Sequence, residues 1–250
     1  MAVAAAQIRP VALAGERVLP VLAPLEPLFP TRGLRRGSVV TVTGSTSLAL
    51  SVLAAASGEG SWCAAVGLPS LGLAAAAELG VVLERFPLVA SPRRGSGAGG
   101  WGWVVAALVD AVDVVLARPP SSVTAADARR LTARVRERGA VLVVCGDGWP
   151  ERAEVRLDVA SSVWEGVDQG HGRLLGRRVE VVAGGRGAAA RERRVPLWLP
   201  HPEGGVRPAP CHGVPAPCSG LPAPCSGLPA PCSGLEVVDE RRPHARRVVS

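Results

Sequence analysis

Short unbroken apolar runs, separated by stretches in which apolar residues return every three or four positions, organise the first 145 residues of the chain. Ser38-Val39-Val40-Thr41-Val42-Thr43, Ser61-Trp62-Cys63-Ala64-Ala65-Val66, Val112-Asp113-Val114-Val115-Leu116-Ala117 and Ala140-Val141-Leu142-Val143-Val144 are the clearest runs. A strand covered on both faces has no polar side to show, so it reads as a continuous run rather than as an alternation. Phe86 to Ala90 is predicted as a shorter strand. Helices are predicted at Leu48 to Ser57, where the residues are small, at Leu71 to Leu79, closed by Gly80, and at Trp101 to Ala111. The helix over 124–138 is marked at both ends. Thr124 with Asp127 three residues on is a capping-box-like start, Ala128, Leu131 and Val135 form a buried stripe, and Gly139 ends it. Alternating strands and helices imply an α/β fold with a mostly parallel sheet and helices on both faces. Beyond Pro150 the pattern changes: Glu154 to Val159, Leu174 to Val182 and Val195 to Leu199 read as strands joined by Gly-rich turns, a C-terminal antiparallel extension.

The flanks read differently. Residues 1–24 are expected to form a flexible leader, because Pro10, Pro20 and Pro24 prevent long helices. Residues 25–200 form the expected domain, in which residues 91–100 are read as an unstructured crossing loop. Residues 201–250 are read as a disordered Pro/Gly/Cys-rich tail, where a unit such as Ala216-Pro217-Cys218-Ser219-Gly220-Leu221-Pro222 recurs with a period of seven. Proline and glycine in every unit forbid a helical heptad. Four of the six cysteines lie in this repeat without a C-x2-C pair, so repeat slippage explains them better than a metal site. Cys63 and Cys145 fall on predicted strands and are read as core thiols of a reducing compartment.

Apolar residues make up 48% of the chain, but no stretch approaches the ~20 uninterrupted apolar positions of a membrane span. Arg9, Pro10, Glu16, Arg17 and Pro20 interrupt any secretory h-region, and a cytoplasmic location is expected. The formal charge is +7 and every basic residue is Arg, since the sequence contains no Lys. Such an excess permits weak contacts with phosphate backbones. Its two concentrations are the helix carrying Arg129, Arg130, Arg134, Arg136 and Arg138, which needs a solvated face in any case, and a later group of Arg173, Arg177, Arg178, Arg186, Arg191, Arg193 and Arg194. The second group is the better candidate for DNA or partner contact. His171, in Gln169-Gly170-His171-Gly172, is read as part of a surface hairpin.

Gly44, Ser45, Thr46 and Ser47, between the first strand and the first helix, stand where a phosphate-binding loop would stand. Such a loop uses one Lys to reach the outer phosphates, and here that Lys is absent. A strand-to-helix turn without a ligand is the simpler reading, and no cofactor and no metal are expected.

In succession, Leu28-Phe29-Pro30-Thr31-Arg32-Gly33-Leu34-Arg35-Arg36-Gly37, the stretch from Gly44 to Ser57, Glu59-Gly60-Ser61-Trp62-Cys63-Ala64, Ala77-Glu78-Leu79-Gly80-Val81, Val155-Arg156-Leu157-Asp158-Val159, Arg177-Arg178-Val179-Glu180-Val181-Val182 and Val195-Pro196-Leu197-Trp198-Leu199 resemble the RecA-like core. They resemble more closely the ImuA-type proteins, including the actinobacterial form, which are RecA-like accessory factors of a mutagenic translesion-synthesis complex. The resemblance implies a RecA-like fold and a cytoplasmic adaptor in the response to DNA damage. Its implied partners are a Y-family-like polymerase homologue and an error-prone replicative-type polymerase, with weak DNA contact and no membrane. Two departures join the missing Lys. The acidic residue that active RecA-like ATPases carry after the second strand is replaced by Val66-Gly67-Leu68-Pro69, and the strand that should end in a magnesium-organising Asp ends Leu116-Ala117-Arg118-Pro119. Phosphoryl transfer rests on positioned charge, so a non-catalytic protein is expected. A SulA-like cell-division inhibitor and a DNA-binding recombinase-like ATPase are the alternatives.

Overall fold

A computed structural model of the chain describes residues 18–90, 100–168 and 171–210. The leader up to residue 17, most of the crossing loop and the tail repeat from residue 211 lie outside the described residues.

Nine strands form one sheet in the order β11-β10-β9-β8-β3-β7-β6-β4-β5. At its centre lies β3 (Val39–Thr43), flanked by β7 (Val141–Cys145) and β8 (Val155–Asp168), both parallel to it. β6 (Val114–Ala117), β4 (Cys63–Val66) and β5 (Leu88–Val89) continue the parallel part. β9 (His171–Gly185), β10 (Arg193–Trp198) and β11 (Arg207–Pro208) run antiparallel, each to its neighbour. The α/β class, the mostly parallel sheet and the antiparallel extension are as the residue pattern implies. A separate two-stranded sheet pairs β1 (Val18–Leu19) with β2 (Leu34–Arg35).

Successive side chains of a strand point to opposite faces, so each central strand feeds two cores. Cys63 and Ala65 belong to one core with Leu48, Leu53 and Ala76, while Ala64 and Val66 belong to the other with Val105, Leu131 and Val135. The first core is covered by α1 (Thr46–Gly58) and α2 (Leu73–Glu78), the second by α3 (Gly100–Ala111) and α4 (Ala125–Arg138). Nine of the thirteen residues of α1 are buried, which explains why alanine, serine and valine serve there: a helix lying close against a sheet has no solvated stripe to fill with charge. The α4 helix is the opposite case. It buries Ala128, Leu131 and Val135, starts in the capping box of Thr124 and Asp127, and ends at Gly139, whose φ of 68° is left-handed.

The packed region is wider than residues 25–200. Leu19 and Val21 are buried, and Ala209 N donates to Pro196 O, so packing begins by Val18 and reaches Ala209. Two-residue strands at a sheet margin bury too few side chains to leave a sequence pattern. Strands β8 and β9 are also longer than their apolar runs, at 14 and 15 residues. They pair with each other well past the end of β3, where Ser161, Ser162 and Gly166 break the apolar run and the ladder continues through register shifts between Val159 and Ser161 and between Glu165 and Val167.

Candidate functional site

Two residues, Gly44 and Ser45, connect β3 to α1 at the carboxyl end of the central strand. Gly44 takes a left-handed φ of 75°. Ser45 is the N-cap: its side-chain oxygen accepts from Leu48 N at 3.2 Å and its carbonyl accepts from Ala49 N at 3.2 Å. Ser51 Oγ donates to Ser47 O at 2.8 Å, as a small hydroxyl does in a buried helix. A phosphate cradle needs several consecutive N–H groups turned on one centre. This connection is short, and its cap hydroxyl is spent on Leu48 N.

Arg118 gives the site its electrostatic character. It follows β6, and its backbone N donates to Val66 O at 3.0 Å, which fixes the chain beside β4. From there Nη2 reaches Thr46 Oγ1 at 3.3 Å and Cys145 Sγ at 3.6 Å. A guanidinium therefore lies against the start of α1 at the carboxyl end of β6. The nearby carboxylate of Asp158, on β8, has both oxygens engaged. Thr43 Oγ1 donates to Oδ1, and Arg156 Nε donates to Oδ2 at 2.7 Å. After β4 the chain enters Gly67 and the buried Leu68, with Gly67 N donating to Val89 O at 3.2 Å. No group of three or more His, Cys, Asp or Glu that would suit a metal occurs among the described residues. Among them, too, no helix is long and apolar enough to cross a membrane.

The basic residues are dispersed. Arg177 and Arg178, neighbours on β9, take opposite faces: Arg177 lies over the Trp164 ring at 5.8 Å and Arg178 over the Trp198 ring at 5.7 Å. Arg178 Nε also stands 2.7 Å from Glu165. Arg194 pairs with Glu192 at 2.8 Å and Glu180 at 3.6 Å, and Arg193 donates to the carbonyls of Ala188 and Arg191. Arg173, Arg186 and Arg191 are exposed. On α4, Arg134 and Arg138 both hold Asp110 of α3, which keeps that carboxyl below its ordinary range chiefly through the Arg134 hydrogen bond. His171 stands across the hairpin from Asp168. Cys63 and Cys145 are buried free thiols, and burial, reinforced by Asp113, pushes Cys63 up to about 12.

Residues 27–151, half of the chain, match the sequence model of the MT3502 N-terminal domain. The chain belongs to the MT3502 N-terminal domain family. It is also 34% identical over 158 residues to uncharacterized protein Rv3395c of Mycobacterium tuberculosis, a match that covers 60% of this chain and 74% of that protein. The MT3502 match takes in the β3–α1 connection, Arg118 and α4, and ends before β8.

Thr43, Asp158 and the contacts of Arg118 escaped sequence reasoning. Their partners lie 115, 72 and 27 residues away, and only the strand order brings them together.

Proposed function

We propose that this protein is a non-catalytic RecA-like adaptor in DNA-damage-induced mutagenesis, which binds a Y-family-like polymerase homologue and helps to recruit an error-prone replicative-type polymerase. The resemblance to ImuA-type proteins supplies the role, and a mostly parallel sheet with an antiparallel finish is the architecture that this resemblance implies. The observation that carries the absence of catalysis is the Arg118–Thr46 contact. It places a fixed positive charge where the metal of a phosphoryl-transfer site needs a negative one, and it engages a loop hydroxyl. Nucleotide and magnesium do not suit this donor set. The chain contains no Lys, the cap hydroxyl of Ser45 is spent on Leu48, and both oxygens of Asp158 are bound. The protein acts through its surfaces, in the cytoplasm.

Purified protein with single-stranded DNA, ATP and magnesium is expected to show no hydrolysis above background, and tagged protein from DNA-damaged cells is expected to retain the polymerase homologue. Robust hydrolysis abolished by Ser47→Ala would overturn the non-catalytic part. Recovery of the division tubulin homologue in place of a polymerase would overturn the role.

A further inference from the structure

The amino end of the central strands carries a second concavity, at the opposite end of β3 from the connection at Gly44. It is a cleft of about 470 Å³, within the range of small-molecule sites, between the turn that precedes β3, the last turn of α4 and the turn that follows β9. Its apolar lining comes from Phe29, Leu34, Val40 and Val155, all buried. Its charged lining is Arg35, Arg136 and Arg186, one from each of the three segments, against the single carboxylate of Glu154. That carboxylate is already 3.5 Å from Arg35. Arg136 and Arg186 are exposed, and neither side chain has an ion pair or hydrogen bond among the described residues. The other concavity that Arg186 lines, beside Thr43 and Trp149, balances its arginines with Asp147, Glu151 and Asp158 and so has no charge preference.

Three guanidinium side chains set around one cleft, with one carboxylate to neutralise them, favour a ligand with several oxygens and more than one negative charge. Planar guanidinium forks match phosphate oxygens two at a time, which an ammonium does not do. The apolar lining leaves room for an uncharged portion attached to the phosphate. We propose that the cleft bounded by Arg35, Arg136 and Arg186 is a binding site for a phosphate group, carried by a small phosphate ester or by a nucleic-acid backbone. The site is separate from the β3–α1 connection and does not depend on the adaptor role.

The full-length protein is titrated with pyrophosphate by calorimetry, and with a fluorescent single-stranded oligonucleotide by anisotropy at fixed salt. Arg136→Gln and Arg186→Gln are each expected to weaken binding on the order of tenfold, the loss of one charge-assisted contact. Arg129→Gln, which removes the same charge from an exposed position of the same helix outside the cleft, is expected to leave it unchanged. Pyrophosphate binding with this pattern identifies a small phosphate ligand. Oligonucleotide binding with this pattern, without pyrophosphate binding, identifies backbone phosphate. Binding of neither probe, or equal losses for Arg129→Gln and the cleft variants, overturns the proposal. All three positions are exposed, so a change in fold does not explain a loss, and melting curves of the variants check this directly.

Discussion

Gly44→Ala tests whether the β3–α1 connection is a structural turn. At φ 75° an alanine is in the left-handed region, which costs roughly 1–2 kcal/mol for a residue with a Cβ. That Cβ would stand 3.1 Å from Val159 Cβ, on a strand held by its ladder to β3, so neither side yields freely. The crowding adds about 1 kcal/mol, the low end of the cost of an extra methyl in a packed site. Against both, alanine restricts the unfolded chain and returns about 0.4–1 kcal/mol. The net expectation is a loss of about 1–2 kcal/mol, which in a folded region of this size lowers the melting temperature by about 2–8 °C. Urea unfolding should show a lower midpoint at an unchanged slope. Placing the substitution in a Val159→Gly background separates the two causes, because the Cβ that the new methyl meets is gone there while the backbone part stays. A turn with no ligand also requires that ATP with magnesium leave the melting temperature of both proteins where it was. A nucleotide-induced rise in the unsubstituted protein that Gly44→Ala removes would refute the reasoning, and so would a variant as stable as the original.

Asp113 accepts from Arg36 Nη1 at 3.0 Å and from Trp62 N at 3.0 Å, so Asp113→Ala should cost about 2–3 kcal/mol in urea unfolding, with Asp113→Asn falling between it and the original. Asp110 and Asp127 have carboxyl groups held below their ordinary values, Asp110 first by the Arg134 hydrogen bond and Asp127 first by the Thr124 hydroxyl. A lowered folded-state value means that their contribution is complete above the unfolded carboxylate range. It is lost as pH falls through the lowered values, so urea midpoints should decline below about pH 4, less steeply in Asp110→Asn. Site-resolved mass spectrometry after brief alkylation at pH 8 should find Cys63 and Cys145 unlabelled in folded protein and labelled in urea, because both are buried and Cys63 is raised to about 12. Labelling of Cys63 at a free-thiol rate without urea would contradict its placement on β4.

Strands with two buried faces leave a strong trace in sequence, and β3, β6 and β7 stand where their apolar runs lie, because burial admits little besides valine, leucine and alanine. The trace weakens wherever geometry outweighs composition. β6 starts at Val114 rather than Val112, with the Asp113 side chain bonded to Trp62 N and Arg36 and its backbone already bonded to Trp62 O and Val141 N. The arginines show the same effect in the candidate sites. Counted along the chain they form two groups, but Arg177 and Arg178 face opposite sides of a strand, and Arg134 and Arg138 share Asp110 while Arg136, between them in sequence, points elsewhere on the helix. Adjacency in sequence is therefore a poor guide to a basic surface, because the period of each element separates neighbours. The loss of the phosphate-loop Lys is legible from residue types alone. The contact of the Arg118 guanidinium with Thr46, and the meeting of Arg35, Arg136 and Arg186 around one cleft, depend on how the elements are arranged in space. At that cleft two of the three arginines have no ion pair among the described residues, so binding rather than turnover is the property to measure there.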